Sequence, residues 1–252
     1  MPQTSPNDST SEISAPDVSV VVPVHDEEGL AGALAREIAE AFKGRSYEMI
    51  FVNDASKDAT LAELTAAKSE LPQLRVLSHR KNAGQSRAIR SGILAARAPV
   101  IVTLDGDGQN PPADGPGLYD ALVSAPPQVA LVGGRRAKRQ DSAAKRWASR
   151  FANNVRKGLL KDQADDTGCG LKAFRREAFL RLPYFDHMHR YLPALMIREG
   201  YEVRFKDVNH RHRTAGRSKY TNLGRLWAAL SDLQGVLWLN SRSRDAGGVE
   251  EQ

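Results

Sequence analysis

The sequence predicts a doubly wound α/β protein: a mostly parallel sheet flanked by helices, followed by a C-terminal amphipathic helix. Two observations carry that expectation. Short apolar runs alternate with helix-like stretches over short connections, and each run ends in a polar cluster, which collects ligand-binding groups at one sheet edge. Val18–Val24 reads as the first strand, with the polar turn His25-Asp26-Glu27-Glu28 and a helix to about Phe42 behind it. Tyr47–Asn53 is the second strand, ending in Asp54-Ala55-Ser56, and Asp58 reads as the cap of a helix to about Leu71. Leu74–Ser78 is the third; Asn82-Ala83-Gly84 then turns into a helix from Gln85 to about Arg97. Further on come an apolar run at 100–104, a helix near Leu118–Ser124, a strand at Val129–Val132, a short helix from Arg175 to about Leu182, and a last strand at Tyr201–Phe205. Leu223, Leu226, Trp227, Leu230, Leu233, Val236 and Leu237 form one apolar helix face. That helix either packs on the core or lies in a membrane interface, and its apolar run is too short to cross a bilayer.

The chemistry concentrates where the run Val100–Leu104 meets Asp105-Gly106-Asp107-Gly108-Gln109 and stops at Pro111-Pro112. In an extended segment, residues 105, 107 and 109 point the same way, so two carboxylates and an amide converge beyond the strand end. Hard oxygen donors of this kind suit Mg²⁺ or Mn²⁺ carrying substrate phosphate. A plain polar turn would not need three same-facing donors. At the neighbouring strand ends, Glu27 and Asp54 offer acceptors for a base or ribose, and Gly84 allows backbone amides close approach. Asp54 and Ser56 would equally well cap the following helix. Neither G-x-G-x-x-G after the first strand nor G-x-x-x-x-G-K-[ST] occurs, which argues against a dehydrogenase or a P-loop enzyme.

Composition supports one domain at 18–220 and the C-terminal helix at 221–240, between disordered tails at 1–17 and 241–252. A single cysteine, Cys169, fits a reducing compartment, and no signal peptide is read at the start. The net charge of +6 is uneven: residues 133–161 carry ten Lys/Arg against one acid, and residues 204–225 seven against one. Those two segments sum to +15 and leave −9 for the rest, a basic patch on an acidic body that calls for an anionic partner. Within the first segment, Trp147, Phe151, Val155 and Leu159 recur every four residues among basic side chains, as in a basic amphipathic helix or an ordinary surface helix. The aromatics do not interleave as a nucleic-acid stacking platform requires, so no nucleic-acid partner is expected. His187 and His189 read as packing or surface residues, without a third ligand at metal spacing.

Taken together, Pro23-Val-His-Asp-Glu27, Val52-Asn-Asp-Ala-Ser56, Asn82-Ala-Gly84, Asp105–Pro112, Asp166-Thr-Gly-Cys-Gly170 and Gly216-Arg-Ser-Lys-Tyr220 resemble family 2 inverting glycosyltransferases of the GT-A fold. The resemblance covers residues 18–240 and is greatest to the branch resembling dolichyl- or polyprenyl-phosphate sugar transferases. It implies a nucleotide-diphosphate sugar donor and a polyprenyl phosphate acceptor, with Mg²⁺ or Mn²⁺ as cofactor. By motif position, Pro23, Glu27, Asp54, Gly84 and Asp105 would surround the donor, and Asp105, Asp107 and Gln109 would hold the metal. Arg135, Lys145, Arg146, Ser149 and Arg213 match positions around the acceptor phosphate; Arg217, Ser218 and Lys219 match a closing loop. Asp107, Asp166 and Arg213 would carry catalysis. Asp26 stands where the family usually has Asn, and Gly108 where leucine is frequent. The implied place is the cytoplasmic face of the inner membrane, as a peripheral protein. A saccharide acceptor is the alternative, in which case Asp166 or Asp165 would serve as base.

Overall fold

The computed structural model describes residues 15–136, 158, 160, 168–211 and 222–243, of which 222–230 as backbone only. Lys145, Arg146, Ser149, Asp166, Arg213, Arg217, Ser218 and Lys219 therefore lie outside the described residues, as do the N-terminal segment and nearly all of the basic stretch at 140–161.

Strands β1 (Val18–Val24), β2 (Tyr47–Asn53), β3 (Leu74–Ser78) and β4 (Val100–Thr103) alternate with helices α1 (Ala31–Ala41), α2 (Thr60–Glu70) and α3 (Gln85–Ala95). Then follow α4 (Gly115–Val123), β5 (Val129–Arg136), β6 (Lys172–Arg175), α5 (Arg176–Arg181), α6 (Leu192–Arg198), β7 (Glu202–Val208) and α7 (Asn222–Ser241). The seven strands form one sheet in the order β3-β2-β1-β4-β6-β5-β7. β1, β2, β3 and β4 run parallel, as do β5 and β7; β6 alone is antiparallel to both its neighbours.

Alternating side chains of the central strands feed two separate cores, which explains their unbroken apolar runs. Val18, Val20, Val22, Met49, Phe51, Val100 and Val102 join Leu34 and Ile38 of α1, Phe42 just beyond it, Leu64 of α2, and Leu118 and Leu122 of α4. Val21, Ile50, Val52 and Ile101 face the opposite layer, with Ala88, Ile89 and Ile93 of α3, Phe179 of α5 and Leu195 of α6. Val236 of α7 is buried in this second layer, with Leu233 and Leu237 packed against it, while Trp238 is 60% exposed. The described part of the C-terminal helix thus packs one face on the core and turns Trp238 outwards. Among the described residues no helix is long and apolar enough to cross a membrane.

β6 and α6 have no counterpart among the elements expected from the sequence. β6 holds only Ala173 and Phe174 between two cations, so it lacks the apolar run that marks a buried strand. Its place is set by pairing with β4 and β5. β7 sits at the sheet edge and alternates charges along a mostly exposed strand, a common defence against edge-to-edge association.

Away from the polar edge, a buried network closes the start of the sheet. Glu48 accepts hydrogen bonds from Ser19 Oγ and from the Arg97 N–H, both 2.7 Å, and pairs with Arg75. Burial opposes ionisation of Glu48, but the Arg97 N–H, Ser19 and Arg75 outweigh it and hold the carboxyl below its ordinary value. Its stabilising effect is complete above the unfolded-state pKa and disappears as pH falls through the folded one. Glu48→Gln is expected to cost about 1.5–3 kcal/mol near pH 7 and to flatten the acid limb of a urea-unfolding series between neutral and acid pH.

Candidate functional site

The candidate site is assembled at the carboxyl ends of β1, β2 and β4. Turns 25–29 and 54–60 lock together first. Ser56 Oγ accepts the Asp26 N–H (3.0 Å), Asp26 Oδ1 accepts the Lys57 N–H (2.8 Å), and Thr60 Oγ1 accepts the Glu27 N–H (2.8 Å). Asp26 adopts a left-handed backbone, φ 51°, which Asp and Asn tolerate better than other side chains. Asp58 accepts the Thr60 N–H at 3.0 Å and so caps α2 from one residue further out than expected.

Asp54 turns inward. It is 3% exposed, and its carboxylate accepts the N–H groups of Ala83 (2.9 Å) and Gly84 (2.8 Å) and the His79 Nδ1–H (2.7 Å). Asn82 Nδ2 donates to the Asp54 carbonyl at 3.2 Å. The side chain read as a nucleoside contact or a helix cap thus pins the Asn82-Ala83-Gly84 loop, with Gly84 at φ 84° opening α3. Asp54→Asn would turn a donor towards these N–H groups, at an expected cost of about 2–3 kcal/mol. A lowered melting temperature with faster amide hydrogen exchange at Ala83 and Gly84 would confirm the loop-holding role.

The strand β4 ends at Thr103, and residues 105–109 form a turn with Gly108 at φ 70°. This corrects the extended-segment argument: strand alternation does not aim Asp105, Asp107 and Gln109 together, because the backbone has left the sheet. Asp105 and Asp107 are nevertheless neighbours in charge. Burial, then the negative charge of Asp107, push the Asp105 carboxyl up to about 6, against the opposing charges of Lys172 and Arg136 and a hydrogen bond from Gln85. Gln85, the first residue of α3, donates from Nε2 to Asp105 Oδ1 at 2.8 Å. Asp107 Oδ1 accepts the Gln109 N–H at 3.1 Å, and the Gln109 carbonyl accepts the Arg211 N–H at 2.9 Å. That last bond brings the chain leaving β7 against the acidic turn, two residues before Arg213.

Two close approaches fix the turn. A methyl group at residue 106 would lie 2.7 Å from the carbonyl of Pro23, so that predicted residue forms the wall behind the turn. A methyl at residue 170 would fall closer than 3.0 Å to the carboxyl carbon and both oxygens of Asp105. Thr103 Oγ1 donates to the Gly170 carbonyl at 2.9 Å and holds it there. Lys172, 5% exposed at the start of β6, donates to the Cys169 carbonyl and places its charge near Asp105.

His189, expected as a packing or surface residue, packs against Ser86 of α3. Burial, then the charges of Lys172, Arg190 and His187, drive its pKa well below the ordinary value, so it is neutral. The Ser86 hydroxyl bonds Nδ1 at 2.7 Å and accepts the His189 N–H at 3.3 Å. Gln85, Ser86, Gly170, Lys172 and His189 were all outside the predicted site residues. Only Gly170, within the Asp166–Gly170 motif, carried a local signal.

Arg135 is exposed near the end of β5 and pairs with Asp207 of β7 at 2.6 Å, while its neighbour Arg136 is the one whose charge reaches Asp105. Among the described residues there is no cluster of three or more His, Cys, Asp or Glu able to hold a metal. The donor set is instead two mutually repelling carboxylates at a partly enclosed turn. Two carboxylates fit a hard divalent cation, because its charge removes the repulsion that raises Asp105.

Residues 19–182 match the pattern of the family described as glycosyl transferase family 2. The chain belongs to glycosyl transferase family 2. Undecaprenyl-phosphate 4-deoxy-4-formamido-L-arabinose transferase of Pseudomonas aeruginosa is 36% identical over 223 residues, 86% of this chain and 63% of that protein. Dodecaprenyl-phosphate galacturonate synthase of Rhizobium johnstonii is 31% identical over 227 residues, 88% of this chain and 67% of that one. The chain spans 61% and 63% of the length of the arabinose transferases from Shewanella sediminis and P. aeruginosa. Among solved structures, glucosyl-3-phosphoglycerate synthase from Mycobacterium tuberculosis, in complex with Mn²⁺, UDP and glucosyl-3-phosphoglycerate, superposes with TM-score 0.68 at 17% identity, covering 92% of this chain and 82% of that one. The mannosyltransferase PcManGT from Pyrobaculum calidifontis, in complex with GDP-Man and Mn²⁺, gives 0.64 at 19% identity, covering 92% and 66%. These likenesses establish the GT-A fold for this family 2 chain.

Proposed function

We propose that this family 2 chain transfers a sugar, with inversion, from a nucleotide-diphosphate sugar to the phosphate of a polyprenyl phosphate. The observation that carries the reading is Asp105, charge-coupled to Asp107, backed by Gly170 and held by Gln85, the residue that follows the Asn82–Gly84 loop. The polyprenyl-phosphate transferases among its relatives support the acceptor class. The manganese-bound nucleotide complexes of the same fold support the donor class.

In this reading Asp105 and Asp107, with Gln109, hold Mg²⁺ or Mn²⁺, which when bound supplies positive charge to the donor's diphosphate. Pro23, Glu27 and the Asp54-pinned loop enclose the nucleoside. Lys172 and Arg136 keep the acidic turn from repelling the donor. An acceptor phosphate oxygen attacks the anomeric carbon as the bond to the nucleoside diphosphate breaks. A phosphomonoester, with a second pKa of about 6, is already largely anionic at neutral pH, so the protein must place it rather than deprotonate it. Arg135, Lys145, Arg146, Ser149 and Arg213 are assigned to that placement, Asp166 to the acceptor side, and Arg217, Ser218 and Lys219 to loop closure. The work takes place at the cytoplasmic membrane face, where the lipid head is reached from the aqueous side.

The test is transfer of label from GDP-mannose, UDP-glucose, UDP-GlcNAc or UDP-galacturonate to undecaprenyl phosphate, with Mg²⁺, Mn²⁺ or EDTA. Label entering the organic phase only with metal supports the proposal; release of nucleotide only with a saccharide acceptor overturns it. Arg213→Ala is expected to raise the KM for the lipid about 10- to 100-fold with donor KM little changed, as for loss of a charge-assisted phosphate contact. An equal rise in donor KM would remove Arg213 from the acceptor side.

A further inference from the structure

The stretch 71–104 contains six Lys/Arg and no Asp or Glu. Arg75 is accounted for by Glu48, but Arg80, Lys81, Arg87, Arg90 and Arg97 make no ion pair among the described residues. Two of them converge. The Arg87 guanidinium lies 4.0 Å from the centroid of the Tyr184 ring, and that of Arg90 lies 5.2 Å from the same centroid. Nη1 of Arg90 is buried without a hydrogen-bond partner among the described residues. Two like charges gathered on one ring repel each other, and an anion shared between their accessible N–H groups would relieve that repulsion.

The location is specific. Arg87 and Arg90 occupy the first two turns of α3, whose Gln85 and Ser86 bond Asp105 and His189. Tyr184 lies just ahead of Asp186, which approaches Gly84. His187, in a left-handed backbone at φ 62°, bonds Asp232 of α7 at 2.9 Å. The arginine pair is thus mounted on elements fixed at both ends. The cation–π contacts with Tyr184 hold both guanidinium groups in place, and guanidinium groups held side by side recognise phosphate through their remaining N–H groups.

We propose that Arg87 and Arg90, arrayed on Tyr184, form a phosphate-binding site separate from the acidic turn. The ligand chemistry is a phosphate group, either on an anionic lipid head or on a soluble compound. This assignment does not depend on the transfer reaction, and its test uses no sugar donor.

The full chain, Arg87→Gln/Arg90→Gln and Arg97→Gln are compared in two arms. One measures binding to phosphatidylcholine vesicles with and without phosphatidylglycerol; the other is a calorimetric titration with inorganic phosphate. A loss of roughly 10- to 30-fold in phosphatidylglycerol-dependent binding in the double variant, with Arg97→Gln unchanged, assigns a lipid head. The same loss confined to inorganic phosphate assigns a soluble ligand, and loss in both arms supports the shared chemistry. No difference from the parent chain, binding in neither arm, or equal loss in Arg97→Gln overturns the proposal. Arg87→Gln alone, at an exposed position, provides the same reading should the double variant fold poorly.

Discussion

Asp107→Ala is expected to lower sugar transfer by about 10³-fold, near 4 kcal/mol of transition-state stabilisation. Asp107 supplies charge at the turn where the leaving diphosphate would sit, and its negative charge helps raise Asp105. Removing it takes one of two carboxylates from the proposed cation site and leaves the strand that presents Asp105 intact, because β4 ends at Thr103. Mn²⁺ binding, followed by calorimetry without substrate, should fall in parallel while the melting temperature holds or rises. Transfer at the parental rate with Mn²⁺ affinity unchanged would refute the assignment of Asp107.

Gly170→Ala should come close to the same loss by another route. The added methyl would meet the whole Asp105 carboxyl, and the backbone cannot retreat easily because Thr103 holds the Gly170 carbonyl. Asp105 must then rotate off Gln85, so both its orientation and its part in the proposed cation site are lost. Activity is expected to fall about 10²-fold, the scale set by an ångström-sized misplacement of a catalytic group. Overpacking should cost about 1–3 kcal/mol of stability. Thr103→Val is the informative companion: by freeing the carbonyl it should partly restore Gly170→Ala, whereas a Gly170→Ala enzyme with normal Mn²⁺ affinity would show that Asp105 is not confined there.

The two substitutions also separate what can be read along the chain from what cannot. The three N-terminal strands follow from local pattern: Val18–Val24, Tyr47–Asn53 and Leu74–Ser78 are bounded as expected because mainly apolar runs stop at polar turns, the first two nearly fully buried and the third only partly. The acidic turn is legible for the same reason, since charge directly after an apolar strand marks a sheet edge. Asp54 is ambiguous in the sequence. Its residue type fits a ligand contact or a helix cap equally well, and only the fold shows three donors already converging on it.

What the sequence by itself determined is the alternation of strands and helices and the collection of acidic residues at one edge, because hydrophobic periodicity is a property of neighbouring residues. The tertiary structure alone decided the antiparallel insertion of β6, the hold of Gln85 on Asp105 and the placing of Gly170 against that carboxyl. Those contacts join residues far apart in the chain, and their energy comes from geometry that exists only after the sheet has closed around them.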